Sequence, residues 1–214
     1  MNILVVDYNA GNLASLANSL IKVSQEINKE IFIKVSRSPK DVSLSDKVIL
    51  PGVGDFSNCK KQLENIDGMV DSLYEHSHIL SKPFLGICIG MQLMAESSEE
   101  RGKHRGLSYF DAIVDKIDIN NCNIKIPHMG WNTVNVENKE IKDNFKSLDN
   151  KNFYFVHSYK MVCKNKSDVL ASVQYGRKIV AAICKENIIG VQFHPEKSQK
   201  EGLNFLKEFI LWKP

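Results

Sequence analysis

The first half of the chain alternates short apolar runs with segments whose apolar residues recur at helical spacing. Buried strands are predicted at residues 3–6, 31–35, 48–50 and 84–87. Between the first two strands, one helix face carries Leu13, Leu16, Ala17, Leu20 and Ile21. Further helices are predicted within residues 58–76 and from Met91 onward. Strands that alternate with helices indicate a parallel sheet covered on both faces.

The second half is richer in apolar runs of strand length. Strands are predicted at residues 112–117, 133–136, 153–156, 169–173, 179–183 and 188–193. A closing helix presents an inner face of Leu203, Leu206, Phe209 and Ile210. No repeat, low-complexity stretch or linker interrupts the pattern. We therefore expect one α/β domain over residues 1–214, with a central mixed, mostly parallel sheet flanked by helices.

Composition and charge narrow the class of protein. Hydrophobic residues make up 43% of the 214 and charged residues 25%, which fits a soluble globular protein rather than a disordered one. The net charge of +3 is mixed along the chain without a Lys/Arg block, so no nucleic-acid partner is predicted. No segment reaches the ~18 apolar residues that span a bilayer. The apolar start stops at Asp7 without a basic leader, so no signal peptide and no membrane partner are predicted.

Cysteine usage indicates a reducing compartment. The chain has five cysteines and no CxxC pair: Cys59, Cys88, Cys122, Cys163 and Cys184. An odd number without metal-type spacing favours free thiols over a disulfide framework, and we expect a cytoplasmic protein.

Cys88 occupies the corner between a predicted strand and a predicted helix. Gly86 and Gly90 lie two residues away on each side, and small residues there allow the tight turn that exposes a nucleophile. The turn also places Cys88 at a helix N-terminus, which favours a thiolate, and points the Ile89 N–H towards an oxyanion. We predict that Cys88 is a nucleophile, with a buried structural cysteine as the alternative. The other four cysteines are predicted to be structural.

A thiol with a pKa of about 8.5 needs a base at neutral pH. His194 follows the apolar run 188–193, and Pro195 fixes the turn after it. Glu196 is close enough to orient the imidazole as the acid of a triad does. Alone, His194 fits a hydrogen-bonded loop histidine equally well, but its occurrence with Cys88 and Glu196 favours a base.

The remaining histidines give no metal site. His76 and His78 form an HxH pair without further ligands nearby, and His104 lies in a basic loop. We predict neither a metal nor another cofactor.

Two motifs resemble those of the class I, triad-type glutamine amidotransferases. Gly86-Ile87-Cys88-Ile89-Gly90-Met91-Gln92 is similar to the nucleophile motif of that family, and Gln192-Phe193-His194-Pro195-Glu196 to its His–Glu motif. The resemblance implies a flavodoxin-like core and attack of Cys88 on the side-chain amide of glutamine. Ammonia leaves, and water hydrolyses the glutamyl thioester. His194 would act as base and then acid, Glu196 would orient it, and Gln92 would help to bind glutamine.

Further segments resemble the glutaminase subunits of imidazole glycerol phosphate synthases, over essentially the whole chain. They are Asp7-Tyr8-Asn9-Ala10-Gly11-Asn12-Leu13, Leu50-Pro51-Gly52-Val53-Gly54, Pro127-His128-Met129-Gly130-Trp131-Asn132, Tyr154-Phe155-Val156-His157-Ser158-Tyr159 and His194-Pro195-Glu196-Lys197-Ser198. This similarity implies a heterodimer with a (β/α)₈ cyclase subunit, which receives ammonia through a channel. The products are imidazole glycerol phosphate and an aminoimidazole carboxamide ribonucleotide, in histidine biosynthesis.

The same resemblance implies an oxyanion hole. Its donors are Ile89, where the family more often has leucine, and Val53, with Gly52 beside the substrate. No Lys-Ser/Thr follows Gly54, so a phosphate loop is excluded. Glycines on both sides of Val53 would let its peptide rotate when the partner signals. Alanine at Gly52 or Gly54 should therefore affect partner-stimulated activity more than basal activity.

A partner face is also implied. By resemblance, Asn12, Trp131, Tyr159 and Lys197 lie at the cyclase interface and ammonia channel. Trp131 with Met129 would be exposed apolar surface, which marks interfaces. Ordinary core is the alternative for the two aromatic residues, Trp131 and Tyr159. His128 and His157 match family positions and are predicted to be supporting or structural.

Other functions stay open. A paralogous glutaminase that feeds another amidination, such as surface-sugar modification, would carry the same motifs and differ in its partner. The amidotransferase of an anthranilate or guanylate synthetase is disfavoured by segments 127–132 and 154–159. The complete set of Cys88, His194 and Glu196 argues against a non-catalytic binding subunit, and a stand-alone cysteine hydrolase explains none of the other segments.

Overall fold

The strands provide the frame of the molecule, a computed structural model that describes residues 1–27, 30–118, 124–138 and 143–214. The strands are β1 Asn2–Val6, β2 Phe32–Ser36, β3 Lys47–Leu50, β4 Phe84–Ile87, β5 Ser97–Ser98, β6 His104–Arg105, β7 Ala112–Lys116, β8 His128–Val136, β9 Lys151–His157, β10 Tyr159–Cys163, β11 Val169–Tyr175, β12 Arg177–Lys185 and β13 Ile188–Val191. The helices are α1 Leu13–Glu26, α2 Pro39–Leu44, α3 Phe56–Glu64, α4 Met69–Tyr74, α5 Ile89–Gln92 and α6 Gln199–Leu211.

Nine strands form one sheet in the order β2-β1-β3-β4-β13-β12-β11-β8-β9. The four pairings from β2 to β13 are parallel and the four from β13 to β9 are antiparallel. The predicted α/β fold with a mixed sheet flanked by helices is confirmed, but "mostly parallel" was wrong because the two kinds of pairing are equal in number. Short connections such as Gly176 (φ 65°) between β11 and β12 make antiparallel neighbours in the second half.

A second sheet has the order β10-β7-β5-β6. The sequence pattern did not predict it, because β5 and β6 span only two residues each and show no periodicity. The strand β10 was also missed.

The predicted helix within 58–76 is two helices. Gly68, at φ 72°, takes a left-handed conformation between α3 and α4, and a π-helical turn at Glu75–Ile79 continues α4. The helix predicted from Met91 begins at Ile89 and ends at Gln92. Ile21, predicted on the inner face of α1, is exposed, and that face buries Leu16, Leu20 and Val23.

Within the described residues, the cysteines are not paired with one another. Cys59 and Cys184 are buried and Cys163 is half-buried, all three as free thiols, and Cys122 lies outside the described residues. Within the described ranges, no helix is long and apolar enough to cross a membrane.

Two neighbouring strands at the centre of the sheet, β4 and β13, position the functional site. Every residue of β4 and β13 is buried, as expected for short apolar runs covered on both faces. The strands run parallel with Val191 opposite Ile87, so their carboxyl ends meet at one edge. The chain leaves β4 into Cys88 and β13 into Gln192, which brings residues 104 positions apart together.

Candidate active site

Cys88 sits at the strand-to-helix corner that the sequence predicted. Its backbone lies at φ 55° and ψ −109°, a region that costs a non-glycine residue about 1–3 kcal/mol. The Cys88 N–H donates to Val191 O (2.8 Å), which ties the turn to β13. A Cβ on Gly90 would lie 1.8 Å from Leu50 O, so the neighbouring strand end leaves no room for a side chain there. The turn is thus fixed by hydrogen bonding and close packing.

The helix after Cys88 is a single turn. Because α5 spans only four residues, it has no large macrodipole. The N–H groups of its first turn are instead what can act on the Cys88 sulfur. The Cys88 side chain is almost fully buried at the base of a cleft.

His194 and Glu196 form a buried pair after β13. His194 Nδ1 lies 2.8 Å from Glu196 Oε1, and a short 3₁₀ turn at Pro195–Lys197 holds both. A carboxylate only accepts, so Nδ1 carries the proton and Nε2 is available to the thiol. Burial alone would lower the pKa of His194. Hydrogen bonds and charge attraction from Cys88 and Glu196 outweigh burial and raise that pKa above its ordinary value.

A raised pKa means that the His194 imidazole takes up a proton readily. The protonated His194 is then the group that can protonate a leaving amine. The arrangement therefore suits nucleophilic acyl transfer.

The loop at 51–54 crosses the nucleophile turn. Two buried side chains hold its carbonyls from behind: Tyr8 Oη donates to Pro51 O (2.5 Å) and Cys59 Sγ donates to Val53 O (3.3 Å). Val53 is 41% exposed and borders the cleft with Gly54, whereas Gly52 is buried, and a Cβ there would lie 2.8 Å from Gly90 N. The predicted oxyanion element therefore lies against the predicted nucleophile.

A cleft of about 690 Å³ gathers most of the sequence-predicted site residues. Its lining includes Asn12, Val53, Cys88, Ile89, Gln92, Tyr159, His194 and Lys197. Gln92 is buried, and its Nε2 donates to Tyr159 O (3.2 Å). Asn12 is also the N-cap of α1, where Oδ1 accepts from Ser15 N (3.4 Å).

Trp131 lies outside this cleft lining, on β8. It is 49% exposed and its neighbour Met129 is 61% exposed, so the core alternative for Trp131 is wrong. The Trp131 ring meets Tyr154 edge to face at 6.1 Å, and Lys197 Nζ lies 5.9 Å from the Tyr154 ring centre. Tyr154, rather than Tyr159, is the tyrosine in contact with these two predicted interface residues.

Sequence reasoning also missed two polar residues of the site. Gln192 Nε2 lies 3.7 Å from Cys88 Sγ, and its place in the His–Glu motif was the available signal. Glu100 lines the cleft while its Oε2 accepts from Phe56 N (2.8 Å). It lies in a stretch, residues 97–105, whose sequence carried no motif. Within the described part of the chain, no group of three or more His, Cys, Asp or Glu side chains could hold a metal ion.

The family model confirms what this geometry indicates. The chain belongs to the class-I glutamine amidotransferase family, whose model matches residues 4–212. It is an amidotransferase of the kind represented by the HisH subunits of imidazole glycerol phosphate synthase. It is 41% identical over 218 residues to the HisH protein from Rhodospirillum rubrum, with 100% of both chains covered. It is 42% identical over 211 residues to the HisH protein from Pelagibacter ubique, with 98% of this chain and 99% of that one covered.

Solved structures share the fold at lower identity. A glutamine amidotransferase crystal structure matches with a TM-score of 0.69 and 16% identity, covering 97% of each chain. A glutamine amidotransferase from Thermotoga maritima matches with a TM-score of 0.63 and 15% identity, covering 98% of this chain and 82% of that one. These likenesses confirm the architecture.

Proposed function

We propose that this chain hydrolyses glutamine with Cys88, His194 and Glu196 and passes the ammonia to the cyclase subunit of an imidazole glycerol phosphate synthase, in histidine biosynthesis. One observation carries the hydrolytic part: the carboxyl ends of β4 and β13 bring Cys88 beside the buried His194–Glu196 pair. The full-length similarity to HisH subunits supports the cyclase partner over a sugar-modifying one.

The chemistry follows from the positions of these groups. His194 Nε2 takes the thiol proton, and the Cys88 sulfur attacks the side-chain carbonyl carbon of glutamine. The N–H groups of Ile89 and of the Val53 loop stabilise the oxyanion. The C–N bond breaks as His194 protonates the nitrogen, so ammonia leaves and a thioester remains. His194 then deprotonates a water molecule that attacks the thioester, and glutamate and the Cys88 thiol are released.

Glutamine recognition is assigned to polar groups of the cleft. The Glu100 carboxylate suits the α-ammonium group of the substrate by charge. Gln92 Oε1 is buried and has no hydrogen-bond partner among the described residues, so it suits an N–H donor of the substrate. Gly52 supports the loop above this position.

The partner face combines the mouth of the cleft with the exposed apolar pair. Asn12, Tyr159 and Lys197 border the cleft, while Met129 and Trp131 lie on β8. Apolar side chains this exposed suit an interface that excludes water. In this proposal, residues 1–214 act as one amidotransferase domain in a cytoplasmic heterodimer, and ammonia leaves through this face.

Release of glutamate from glutamine tests the proposal. The chain alone should be nearly inactive, and addition of a cyclase subunit with its nucleotide ligand should stimulate it strongly. Cys88→Ala should abolish the activity, whereas Cys163→Ala, which removes a half-buried thiol of β10, should retain it. Brisk activity without the cyclase would contradict the coupling, and activity that survives Cys88→Ala would contradict the nucleophile.

A further inference from the structure

A line of polar groups runs from strand β8 to the sulfur of Cys88, and the proposed mechanism gives no role to Asn132, His128, His157 or Gln192 within it. It begins at Asn132, whose Nδ2 donates to Gln174 O (3.0 Å) and lies 3.3 Å from His128 Nε2. His128 Nδ1 lies 2.9 Å from His157 Nε2, and His157 Nδ1 lies 2.8 Å from Tyr159 O. The two imidazoles stand opposite each other on neighbouring strands, β8 and β9.

The line continues through two amides to the nucleophile. Gln92 Nε2 donates to Tyr159 O (3.2 Å) and to Gln192 Oε1 (2.9 Å). Gln192 Nε2 in turn donates to Cys88 Sγ (3.7 Å). Tyr159 O thus accepts from both directions, which the two lone pairs of a carbonyl allow.

Only one placement of hydrogens satisfies this line. A carbonyl accepts and never donates, so His157 carries its proton on Nδ1 and accepts at Nε2. His128 must then donate from Nδ1 and accept at Nε2, from Asn132. Tyr159 O likewise fixes which end of the Gln92 amide carries the NH₂ group. Gln192 then faces Gln92 with its oxygen and Cys88 with its NH₂ group.

The surroundings keep the line neutral and ordered. Gln92, Gln192, His128 and His157 are all buried. The His128 ring is stacked between Phe155 (4.7 Å) and Tyr175 (3.9 Å). Burial lowers the pKa of His128 to about 4 and that of His157 to about 3, so neither imidazole is charged near neutral pH. Water therefore competes little for these hydrogen bonds.

We propose that Gln192 is a positioning residue for the Cys88 sulfur. Gln92 fixes the orientation of the Gln192 amide, and both are held through Tyr159 O, which accepts from Gln92 on one side and from the line of Asn132, His128 and His157 on the other. The inference rests on the proposed role of Cys88 as nucleophile. The Gln192 N–H stabilises the thiolate and holds the sulfur towards the cleft. The line begins on the strand that carries Met129 and Trp131, so contacts at that surface act on the strand in which Asn132 is anchored.

Imidazole nitrogen NMR of the intact protein tests the hydrogen placement without any catalytic assay. Between pH 6 and 8, both His128 and His157 should be neutral with the proton on Nδ1, and His128→Gln and His157→Gln spectra assign the signals. A proton on Nε2 of either ring, or a mixture of tautomers, would overturn the proposed line of hydrogen bonds that ends at Tyr159 O.

Alkylation of Cys88 by iodoacetamide tests the action on sulfur. Gln192→Met keeps the side-chain length but removes the N–H donor to the sulfur, so the rate of Cys88 alkylation at pH 7 should fall about tenfold. Mass spectrometry of the Cys88 peptide keeps the other thiols out of the measurement. The control is Gln25→Met, the same change at an exposed side chain of α1. Among the described residues, the titratable groups that interact electrostatically with Cys88 are His194, Tyr8 and Cys59, and the variant leaves all three in place.

The far end of the line is tested at Asn132. Asn132→Leu removes both donors and should slow Cys88 alkylation about twofold to fivefold in the same direction, while Asn152→Leu, at an exposed asparagine of β9, should not. Wild-type alkylation profiles in both Gln192→Met and Asn132→Leu would overturn the proposal even if Cys88→Ala abolishes glutaminase. Glutaminase that survives Cys88→Ala would instead remove the proposed function and leave the NMR result standing.

Discussion

At the scale of single residues, Cys88, the proposed nucleophile, occupies a backbone conformation that suits glycine better than cysteine. The φ of 55° at Cys88 is held by the bond to Val191 O and by the close contact of Gly90 with Leu50 O. The surrounding fold therefore imposes the strain at Cys88, and the strained conformation places the sulfur at the cleft.

The strain predicts an unusual order of stabilities. Cys88→Gly should be more stable than Cys88→Ala by about 1 kcal/mol, because glycine adopts positive φ without a steric cost. At Cys184, in strand β12, the order should reverse, and the glycine variant should be less stable than the alanine variant by about 0.5–1 kcal/mol. Urea unfolding of the four variants measures both differences. The same order at the two positions would mean that Cys88 is not strained.

The residues that sequence could predict are those with short-range signatures. Cys88 stands between glycines, and His194 and Glu196 lie two residues apart, so a local pattern marked them. Gln192 acts on Cys88 from 104 positions away, and Glu100 reaches the cleft from a segment without periodicity. Their roles depend on strand pairing and loop path, which no short window of sequence contains.

At the scale of elements, helix α3 and strand β1 both hold the loop that crosses the active site. Cys59 reaches back from the first turn of α3 to Val53 O, and Tyr8, just after β1, reaches Pro51 O. Burial raises the pKa of Cys59 to about 12, so its thiol keeps the proton that it donates. The carbonyl side of the loop is therefore anchored, and Gly54 (φ 111°) lies where the anchoring ends.

Gly54 is the position at which loop rotation can be tested. A Cβ there meets no atom within 4 Å, whereas one on Gly52 would press on Gly90 N and disturb the nucleophile turn. Gly54→Ala should therefore lower partner-stimulated glutaminase about tenfold while basal activity changes less. Alanine is disfavoured at positive φ, so it restricts the rotation of the loop, and only the partner-stimulated activity depends on that rotation.

Gly102→Ala provides the matched control, since Gly102 also has a positive φ (120°) and only one atom within 4 Å of a built Cβ. Both variants are assayed for glutamate release with and without the cyclase. An equal loss of the two activities in Gly54→Ala would refute partner-controlled rotation.

The elements also show where sequence patterns stop being informative. Strand β4 lies at the predicted residues 84–87, because a short apolar run that leads into a glycine-flanked turn is typical of a buried strand. The break between α3 and α4 was missed because apolar positions continue in phase across it, and Gly68 was the sole local signal. Strand β10 was missed because its sequence is only half-buried and has no clear apolar pattern. It becomes a strand by pairing with β7, a contact between distant parts of the chain.

At the scale of the whole molecule, three buried histidines make the folded state sensitive to acid. Burial lowers the pKa of His76 to about 4, of His128 to about 4 and of His157 to about 3. In the unfolded chain these groups titrate near 6.5. Below that pH the unfolded chain binds protons that the folded chain does not, so their contribution to stability is present above pH 6.5 and is lost as pH falls towards 4.

Urea unfolding between pH 7.5 and 4.5 should therefore show a falling midpoint, with each histidine contributing up to about 1.4 kcal/mol per pH unit. His76→Gln removes one of the three groups far from the cleft and should give a shallower slope. His194 acts in the opposite sense: its raised pKa adds stability below pH 6.5 that is lost only as pH rises through the folded pKa. A slope unchanged in His76→Gln would contradict the assignment of acid sensitivity to these rings.

The position of β13 has a consequence for synthesis of the protein on the ribosome. This strand is the last in the described chain, yet it lies at the centre of the large sheet, between β4 and β12. While the nascent chain grows, β4 has no partner on that side, and Cys88 has neither the Val191 carbonyl nor His194 beside it. The sheet closes only after residue 191 has left the exit tunnel, so Cys88 lacks both partners until β13 has paired with β4. A nascent chain interrupted before β13 therefore carries Cys88 without these partners, and under the proposed mechanism it releases no ammonia.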